Sequence, residues 1–239
     1  MSKFKKTEVH GIPEGWELLP FSEAFEVNPQ RPVKKGSLTK FVSMADLKEF
    51  NKKIQGHETR KYSGGSRFQN NDTLMARITP CLENGKTAFV DNLDDNEMAA
   101  GSTEFMVLSA KAGKTVAQFV YYLAISPQVR ELAVKSMTGT SGRQRVETDV
   151  FKKITAMFPD MPEQRAIARI LSDLDAKIEL NHQMNKTLEQ IAQAIFKRWF
   201  VDFEFPGYEK GKFTNGIPQG WREGNLVDTC EIVMGQSPP

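Results

Sequence analysis

Residues 162–201, PEQRAIARILSDLDAKIELNHQMNKTLEQIAQAIFKRWFV, contain neither glycine nor proline after Pro162. Proline suits the first turn of a helix because its φ is already fixed and its missing N–H would have had no partner there. Glu163 stands in the same turn, and Pro206-Gly207 follows the stretch. The sequence therefore predicts one helix over about 163–201, which would be roughly 58 Å long at about 1.5 Å per residue.

Apolar residues recur along this stretch at a spacing that alternates three and four, the heptad pattern of a coiled coil. Two asparagines stand in the middle of the pattern, and buried asparagines there tend to fix register and partner number. We call the pattern the seam; its residues are Leu171, Leu174, Ile178, Asn181, Asn185, Leu188, Ala192, Ile195 and Trp199. A partner helix is expected, and the alternative is a helix packed across its own globular domain.

A short motif occurs twice in the chain. Gly11-Ile-Pro-Glu-Gly-Trp16 returns as Gly216-Ile-Pro-Gln-Gly-Trp221, and the echo continues from Phe25-Glu-Val27 to Cys230-Glu-Ile232. Copies this far apart indicate a duplicated domain, because solenoid repeats are much shorter. We expect one complete unit followed by the opening of a second one.

Residues 15–158 combine strand and helix patterns. Helical periodicity is clearest over 115–135, where Pro127 is expected to divide two helices. Short apolar, β-favouring runs bounded by Gly, Asn and Asp occur at 40–44, 73–78, 87–90, 104–108 and 154–158. The predicted fold class is α+β, with one mixed domain followed by a long coiled-coil-forming helix.

Composition limits the class of protein. A hydrophobic fraction of 39% is ordinary for a globular domain. No apolar run reaches the roughly 20 residues that span a bilayer, and the start MSKFKKTEVH lacks the apolar core of a signal peptide. Cys81 and Cys230 are too far apart for a CxxC site. A cytoplasmic protein is expected.

Basic residues are concentrated in one part of the chain, although the net charge is only +2. Residues 31–77 hold eleven Lys or Arg against four acids, whereas residues 83–104 hold six acids against one Lys. Such a stretch could follow a phosphate backbone, where each neutralised phosphate releases counterions. The alternative is a solvated surface.

The candidate DNA contacts lie in two glycine-containing loops. Glycines let the backbone approach a surface closely, hydroxyl groups suit phosphate oxygens, and Arg and Gln can read base edges. The first loop offers Thr138, Gly139, Thr140, Ser141, Gly142, Arg143, Gln144 and Arg145. The second offers Gly65 and Arg67, and Arg77 and Lys86 near strand ends are further candidates. Each loop could instead be a plain polar connection or an exposed turn.

No catalytic residue or metal ligand is assigned. Glu83-Asn-Gly-Lys-Thr87 is similar to the end of a phosphate-binding loop, but Pro80 stands where that loop needs its first glycine. His10, His57 and His182 do not fall at a metal-ligand spacing with Cys or another His. No acid, base and nucleophile are recognisable as one set.

Taken together, these segments resemble the specificity subunits of type I restriction-modification systems. The matching pieces run through nearly the whole chain in one order. They are the repeated Gly-Ile-Pro-x-Gly-Trp, Thr73-Leu-Met-Ala-Arg77-Ile, Glu83-Asn-Gly-Lys86, Gly101-Ser-Thr-Glu-Phe105, Thr138-Gly-Thr-Ser-Gly-Arg143-Gln-Arg-Val146, Pro162-Glu-Gln-Arg165 and Phe196-Lys-Arg-Trp-Phe200-Val-Asp.

The resemblance implies a function and a set of partners. In that family two target recognition domains each read half of an interrupted DNA site, and two antiparallel helices separate them and dock methyltransferase subunits. S-adenosylmethionine would belong to the methyltransferase, and a restriction subunit could join the complex. This chain would be a half-length form with an N-terminal segment at 1–14, a recognition domain at 15–160, a spacer helix at 161–203 and the start of a second domain at 204–239.

Two half-length chains could pair through the seam as a homodimer. Because site symmetry mirrors protein symmetry, such a pair should recognise an inverted repeat with a gap in double-stranded DNA. The alternative function is a coiled-coil assembly scaffold whose globular head binds protein rather than DNA.

Overall fold

The computed structural model describes residues 4–5, 12–214, 216–231, 233 and 235. Its strands are β1 Phe4–Lys5, β2 Ile12–Pro13, β3 Glu17–Pro20, β4 Phe25–Val27, β5 Leu38–Val42, β6 Glu58–Lys61, β7 Ser66–Phe68, β8 Asp72–Ala76, β9 Thr87–Phe89, β10 Ala99–Gly101, β11 Phe105–Ala110, β12 Met137–Thr138, β13 Arg145–Val146, β14 Thr155–Phe158, β15 Phe213–Thr214 and β16 Ile217–Pro218. Its α-helices are α1 Phe21–Ala24, α2 Ala117–Ile125, α3 Pro127–Lys135, α4 Thr148–Lys153 and α5 Met161–Phe196. The chain divides into unit 1, Met1–Ala176, and unit 2, Lys177–Pro239.

Unit 1 is built on an antiparallel sheet in the order β4-β11-β8-β9. All of β8 is buried, and so are the first four residues of β11. Leu74 and Phe105 belong to the core cluster on one face, while Met75 and Met106 belong to the cluster on the other. Burial on both faces explains why these strands read as continuous apolar runs.

Two further layers cover this sheet. A second sheet in the order β6-β5-β10-β7 packs on one face, with Val42, Phe68 and Ala99 in the shared cluster. Helices α1 to α4 cover the other face, where Phe119 and Phe151 belong to the core. Strand β10 runs parallel to β5, and the remaining pairs are antiparallel. The predicted α+β class is confirmed.

The predicted helical stretch at 115–135 consists of α2 and α3, divided at Pro127 as expected. Pro127 is the first residue of α3, and the Ser126 side chain accepts a hydrogen bond from the Val129 N–H at 3.4 Å. A serine cap followed by proline is a favourable helix start. The five predicted strands are β5, β8, β9, β11 and β14, each within a few residues of its expected bounds.

Helix α5 has 36 residues, about 54 Å at 1.5 Å per residue, and continues into a five-residue π-helical turn at Lys197–Val201. It begins where expected, because Asp160 Oδ1 accepts the Glu163 N–H at 2.9 Å and so caps the first turn. The boundary between the two units falls inside this helix, at Ala176. The domain limits expected from the sequence stay a prediction.

The repeated motif adopts the same turn in both copies. In unit 1 the Trp16 N–H donates to the Pro13 carbonyl at 3.1 Å, and in unit 2 the Trp221 N–H donates to the Pro218 carbonyl at 3.0 Å. A glycine with positive φ precedes each tryptophan. Gly11 and Ile232 of the repeat, His10 and residues 236–239 lie outside the described residues. Within the described ranges, no helix combines the length and apolar character needed to cross a bilayer.

Candidate nucleic-acid interface

Residues 137–146 form a short β-hairpin from β12 and β13. The Arg143 N–H donates to the Thr140 carbonyl at 3.0 Å and closes the turn. Gly139 and Gly142 have φ of 119° and 79°, a region that favours glycine. Of the predicted contacts, Thr138, Gly139, Thr140, Ser141, Gly142, Arg143 and Arg145 are exposed, and Gln144 is half-buried.

The base of the hairpin is tied to the end of β8. The Val146 N–H donates to the Arg77 carbonyl at 2.8 Å, and the Thr79 N–H donates to the Gln144 carbonyl at 3.0 Å. The tip is therefore presented from a fixed base.

The two hairpin arginines differ in what they already bind. Arg145 makes a bidentate ion pair with Glu104, with Nη2 at 2.7 Å and Nε at 3.0 Å. Arg143 has no side-chain hydrogen bond or ion pair within the described residues, so its guanidinium is available to an external acceptor.

Two adjoining depressions lie beside Gly65 and Thr103, and we call them together the groove. The smaller has a volume of ≈ 190 Å³ and the larger ≈ 410 Å³, and both are lined by Gly65 and Thr103. The smaller is lined by Asn28, Pro29, Gln30, Gly65, Ser66, Arg67, Arg77, Thr103, Phe105 and Val107. Three residues singled out from the sequence, Gly65, Arg67 and Arg77, thus line one site.

Arg77 is held only partly by the protein. Its Nη2 donates to the Val146 carbonyl at 3.1 Å, while its buried Nε has no partner among the described residues. Buried polar groups are nearly always hydrogen-bonded, to water or a ligand where protein offers no partner. Because Nε is enclosed by protein atoms, it is an unsatisfied buried donor beside the smaller depression rather than an exposed contact.

Gly65 has a packing role at this site. A Cβ built on it would lie 2.1 Å from the Gly101 carbonyl oxygen, and its φ is 116°. Only glycine allows the chain just before β7 to approach the end of β10 this closely, and Gly65 lines both depressions. Arg60 stacks on the Phe41 ring in the larger depression, 3.3 Å from the ring centroid, and so keeps a positive charge there.

Of the predicted contacts outside the hairpin, Lys86 does not line the groove. Its Nζ donates to the Met44 carbonyl at 3.1 Å, and Met44 lines the larger depression. The neighbouring Gly85 is explained by packing, because a Cβ there would lie 2.5 Å from the Phe50 ring. In the turn at 83–87, which is similar to the end of a phosphate-binding loop, Gly85 therefore leaves room for the Phe50 ring.

Residues 28–30 line the smaller depression, and the segment 28–31 is anchored at both of its ends. The Asn28 N–H donates to the Val107 carbonyl at 2.7 Å, and Asn28 Oδ1 accepts the Val107 N–H at 2.9 Å. Arg31 forms a bidentate pair with buried Asp72 at 2.7 and 3.1 Å. Between these anchors, Gln30 Oε1 accepts a hydrogen bond from Arg67 Nη2 at 2.8 Å.

Gln164, in the Pro162-Glu-Gln-Arg165 motif, anchors the start of α5 to unit 1. Its side chain is buried, and Oε1 accepts the Val116 N–H at 3.0 Å at the beginning of α2. Its Nε2 donates to the carbonyls of Lys114 and Pro159, both at 2.9 Å. One side chain thus satisfies three backbone groups that the secondary structure leaves unpaired.

A second anchor surrounds Lys52. Its Nζ donates to Tyr122 Oη at 2.8 Å and lies 3.7 Å from an Asp175 carboxylate oxygen of α5. The rings of Phe89, Tyr121 and Tyr122 lie 4.7 to 5.5 Å from the ammonium group. Burial lowers the pKa of Lys52, and Asp175 opposes that shift. Sequence reasoning missed this cluster because its members are distant in the chain.

Beyond Ala176, every residue of α5 except Glu179 is exposed. Exposed seam residues include Leu174, Ile178, Asn181, Asn185, Leu188, Ile195 and Trp199, whereas Leu171 packs partly against the core of unit 1. Ile170, Met184 and Ile191 fall one position before the seam in the heptad and are exposed as well. The apolar stripe is therefore wider than the seam, as in helices that pack in bundles.

Among the described residues, no three His, Cys, Asp or Glu side chains lie close enough together to hold a metal ion.

Residues 13–190 match the model of the type I restriction modification DNA specificity domain. The HindI specificity subunit of a type I restriction enzyme from Haemophilus influenzae is 41% identical over 136 residues, which are 56% of this chain and 28% of that protein. The MjaIX specificity subunit from Methanocaldococcus jannaschii is 25% identical over 100% of this chain and 57% of its own length. The chain therefore spans between about a quarter and three fifths of these relatives.

A solved structure shares the fold. The HsdS subunit from Thermoanaerobacter tengcongensis superposes with a TM-score of 0.61 over 98% of this chain and 59% of that one. The sequence identity is 20%, so the likeness concerns the fold.

Proposed function

Because the chain belongs to the type I restriction-modification DNA specificity family, we propose that it is a non-catalytic, sequence-specific DNA-binding subunit. Unit 1 recognises one half-site with the groove and the hairpin. The observation that carries this proposal is the placement of Arg67 and Arg77 in one groove beside a hairpin with an unpaired Arg143. Arginine is the residue best suited to both phosphate and guanine edges.

The hairpin and the groove offer different kinds of contact to DNA. The exposed hydroxyls of Thr140 and Ser141 and the glycine backbone suit phosphate oxygens, which fix the position of a protein on a duplex. Arg143 and the groove arginines, Arg67 and Arg77, supply donors that suit both base edges and phosphate oxygens. Arg145 supports the hairpin through Glu104.

The partners follow from the family. The chain acts in the cytoplasm with methyltransferase subunits, which bind S-adenosylmethionine, and a restriction subunit joins the complex. Two chains pair through the exposed apolar stripe of α5 as a homodimer, so two identical half-sites stand in inverted orientation. Support for pairing comes from the run of exposed apolar residues, which is unfavourable to leave in water.

Deleting residues 178–184 is expected to shorten the gap between half-sites by about three base pairs. Seven residues correspond to about 10.5 Å of helix, and the heptad phase of the stripe is kept. Gap preference is measured by binding to duplexes that differ only in spacer length. As a control, deleting five residues rotates the stripe by about 140° and should abolish a defined gap. A seven-residue deletion that leaves the gap unchanged contradicts the spacer role.

Replacing Arg143 by alanine is expected to weaken binding to the recognised sequence by about 1–3 kcal/mol and to relax one position of it. Thermal unfolding should not change, because Arg143 is exposed and its side chain makes no hydrogen bond or ion pair within the described residues. Arg143→Lys keeps the charge but loses the bidentate fork, so it separates base reading from phosphate attraction. Normal affinity and specificity in both variants would remove this residue from the interface.

The salt dependence of binding tests the proposed function against the scaffold alternative. If unit 1 neutralises about four phosphates, affinity for DNA should fall about 100-fold between 50 and 200 mM salt. Binding that is weak and flat with salt would favour a head that binds protein. The measurement uses the chain assembled with its methyltransferase subunit, on specific and scrambled duplexes.

A further inference from the structure

Gln30 is an exposed side chain on a rigidly held segment. Two residues before it, Asn28 exchanges two hydrogen bonds with Val107 of β11, at 2.7 and 2.9 Å. One residue after it, Arg31 is fixed by Asp72 and donates to Ser109 Oγ at 3.0 Å. The residues on both sides of Gln30 are therefore anchored, and a side chain on an anchored segment loses less entropy on binding.

The orientation of the Gln30 amide is set by a second residue of the groove. Arg67 Nη2 donates to Gln30 Oε1 at 2.8 Å, which requires the carbonyl oxygen on that side. Oε1 keeps one lone pair, and Nε2 makes no hydrogen bond within the described residues. The amide thus offers one acceptor and one donor in a known order.

We propose that Gln30 reads one adenine of the half-site in the major groove, with Arg67 as the residue that orients its amide. Adenine presents an N6 donor beside an N7 acceptor, the pattern that a glutamine amide matches with two hydrogen bonds. This assignment rests on the proposed function and adds a specificity-determining residue to it. Residues 28–31 are then a reading segment separate from the hairpin.

Two substitutions of Gln30 test the proposal: one should remove the base preference at one position, and the other should change it. Gln30→Ala should lower the preference for adenine at one position by about tenfold or more. Gln30→Glu keeps an acceptor for Arg67 and should move the preference at that position towards cytosine, whose N4 group is a donor. Arg67→Met should relax the same position, and combining it with Gln30→Ala should add little to the discrimination already lost there.

The experiment measures the affinity of the full chain, assembled with its methyltransferase subunit, for all four base pairs at every position of the selected sequence. Gln55→Glu is the matched control, because Gln55 is also exposed in unit 1 and its amide bonds only to neighbouring residues of its own loop. If the unaltered chain shows no sequence preference, the proposed function fails. If it selects a sequence and the Gln30 variants keep every base preference, this inference is overturned while the proposed function stands. An Arg67→Met variant that leaves that position fully discriminated would overturn the orienting role.

Discussion

Replacing Gln164 by leucine is expected to lower the free energy of unfolding of unit 1 by about 3 kcal/mol or more. The Val116 N–H and the carbonyls of Lys114 and Pro159 would lose their partner, and each buried unsatisfied group costs about 1–3 kcal/mol. Leucine has a similar volume, so the effect reports the lost hydrogen bonds rather than a cavity. Urea denaturation followed by circular dichroism measures it.

Gln183→Leu is the control for this prediction. Gln183 is exposed on the same helix, outside the seam, and donates only to Glu179 one turn away. Its replacement should change stability by no more than about 0.5 kcal/mol. If Gln164→Leu is equally mild, α5 is not anchored to unit 1 in the way described.

Replacing Asp72 by alanine is expected to cost about 3–5 kcal/mol of stability, because it leaves a buried cation without a partner. Asp72 is 1% exposed and the Arg31 side chain 13%. Asp72 also accepts the Gln69 N–H at 2.9 Å, so a turn is lost with the ion pair. The measurement is again the free energy of unfolding in urea.

The double variant Arg31→Met with Asp72→Ala tests the pairing itself. Removing both charges avoids the buried unpaired cation, so the double variant should be more stable than the sum of the single losses implies. Strict additivity would mean that the two side chains do not act as a pair. Asp72→Asn keeps an acceptor for Gln69 and should lose less than Asp72→Ala.

The long elements of this fold are predictable because their signals are local. Pro127 and Ser126 mark the boundary between α2 and α3, and Pro162 and Glu163 mark the start of α5. Each of these residues acts on its own turn of backbone, through a fixed φ, a side-chain cap or the helix dipole. The apolar runs of β8 and β11 are equally local, because strands buried on both faces need apolar residues throughout.

The short strands were missed because tertiary pairing defines them. Strand β6 is exposed along its whole length, and β10, Ala99–Gly101, contains only small residues. Glycine and alanine have low strand propensity, and β10 forms where β5 and β7 supply hydrogen-bond partners. Propensity alone cannot supply those partners.

The sequence indicates which types of residue contribute to the candidate DNA-binding site, but not which of them lie together in the groove. The sequence indicates Gly65, Arg67 and Arg77 as separate candidates, and the topology brings them to one groove through β7 and the end of β8. Gln30 gave no local signal, because its role depends on Arg67, which is 37 residues away. Its position between Asn28, whose φ is 54°, and the ion-paired Arg31 becomes recognisable only when the structure shows both anchors.

The seam illustrates a limit of periodicity. Its heptad spacing predicts a buried stripe but does not say which turns the chain itself covers. Leu171 packs partly against unit 1, whereas Leu174 and Ile178 are more than half exposed. The change occurs near Asp175, the last residue of α5 bonded to the core cluster around Lys52.

Selection from a random duplex library tests the central claim that this chain determines which DNA sequence is bound. The chain is assembled with its methyltransferase subunit, bound duplexes are recovered, and their sequences are compared with those from a complex carrying Arg143→Ala. The expected result is enrichment of one inverted repeat with a fixed gap, with one position of each half-site relaxed by the variant. Absence of any enriched sequence would contradict DNA reading by this chain and would favour the protein-binding scaffold.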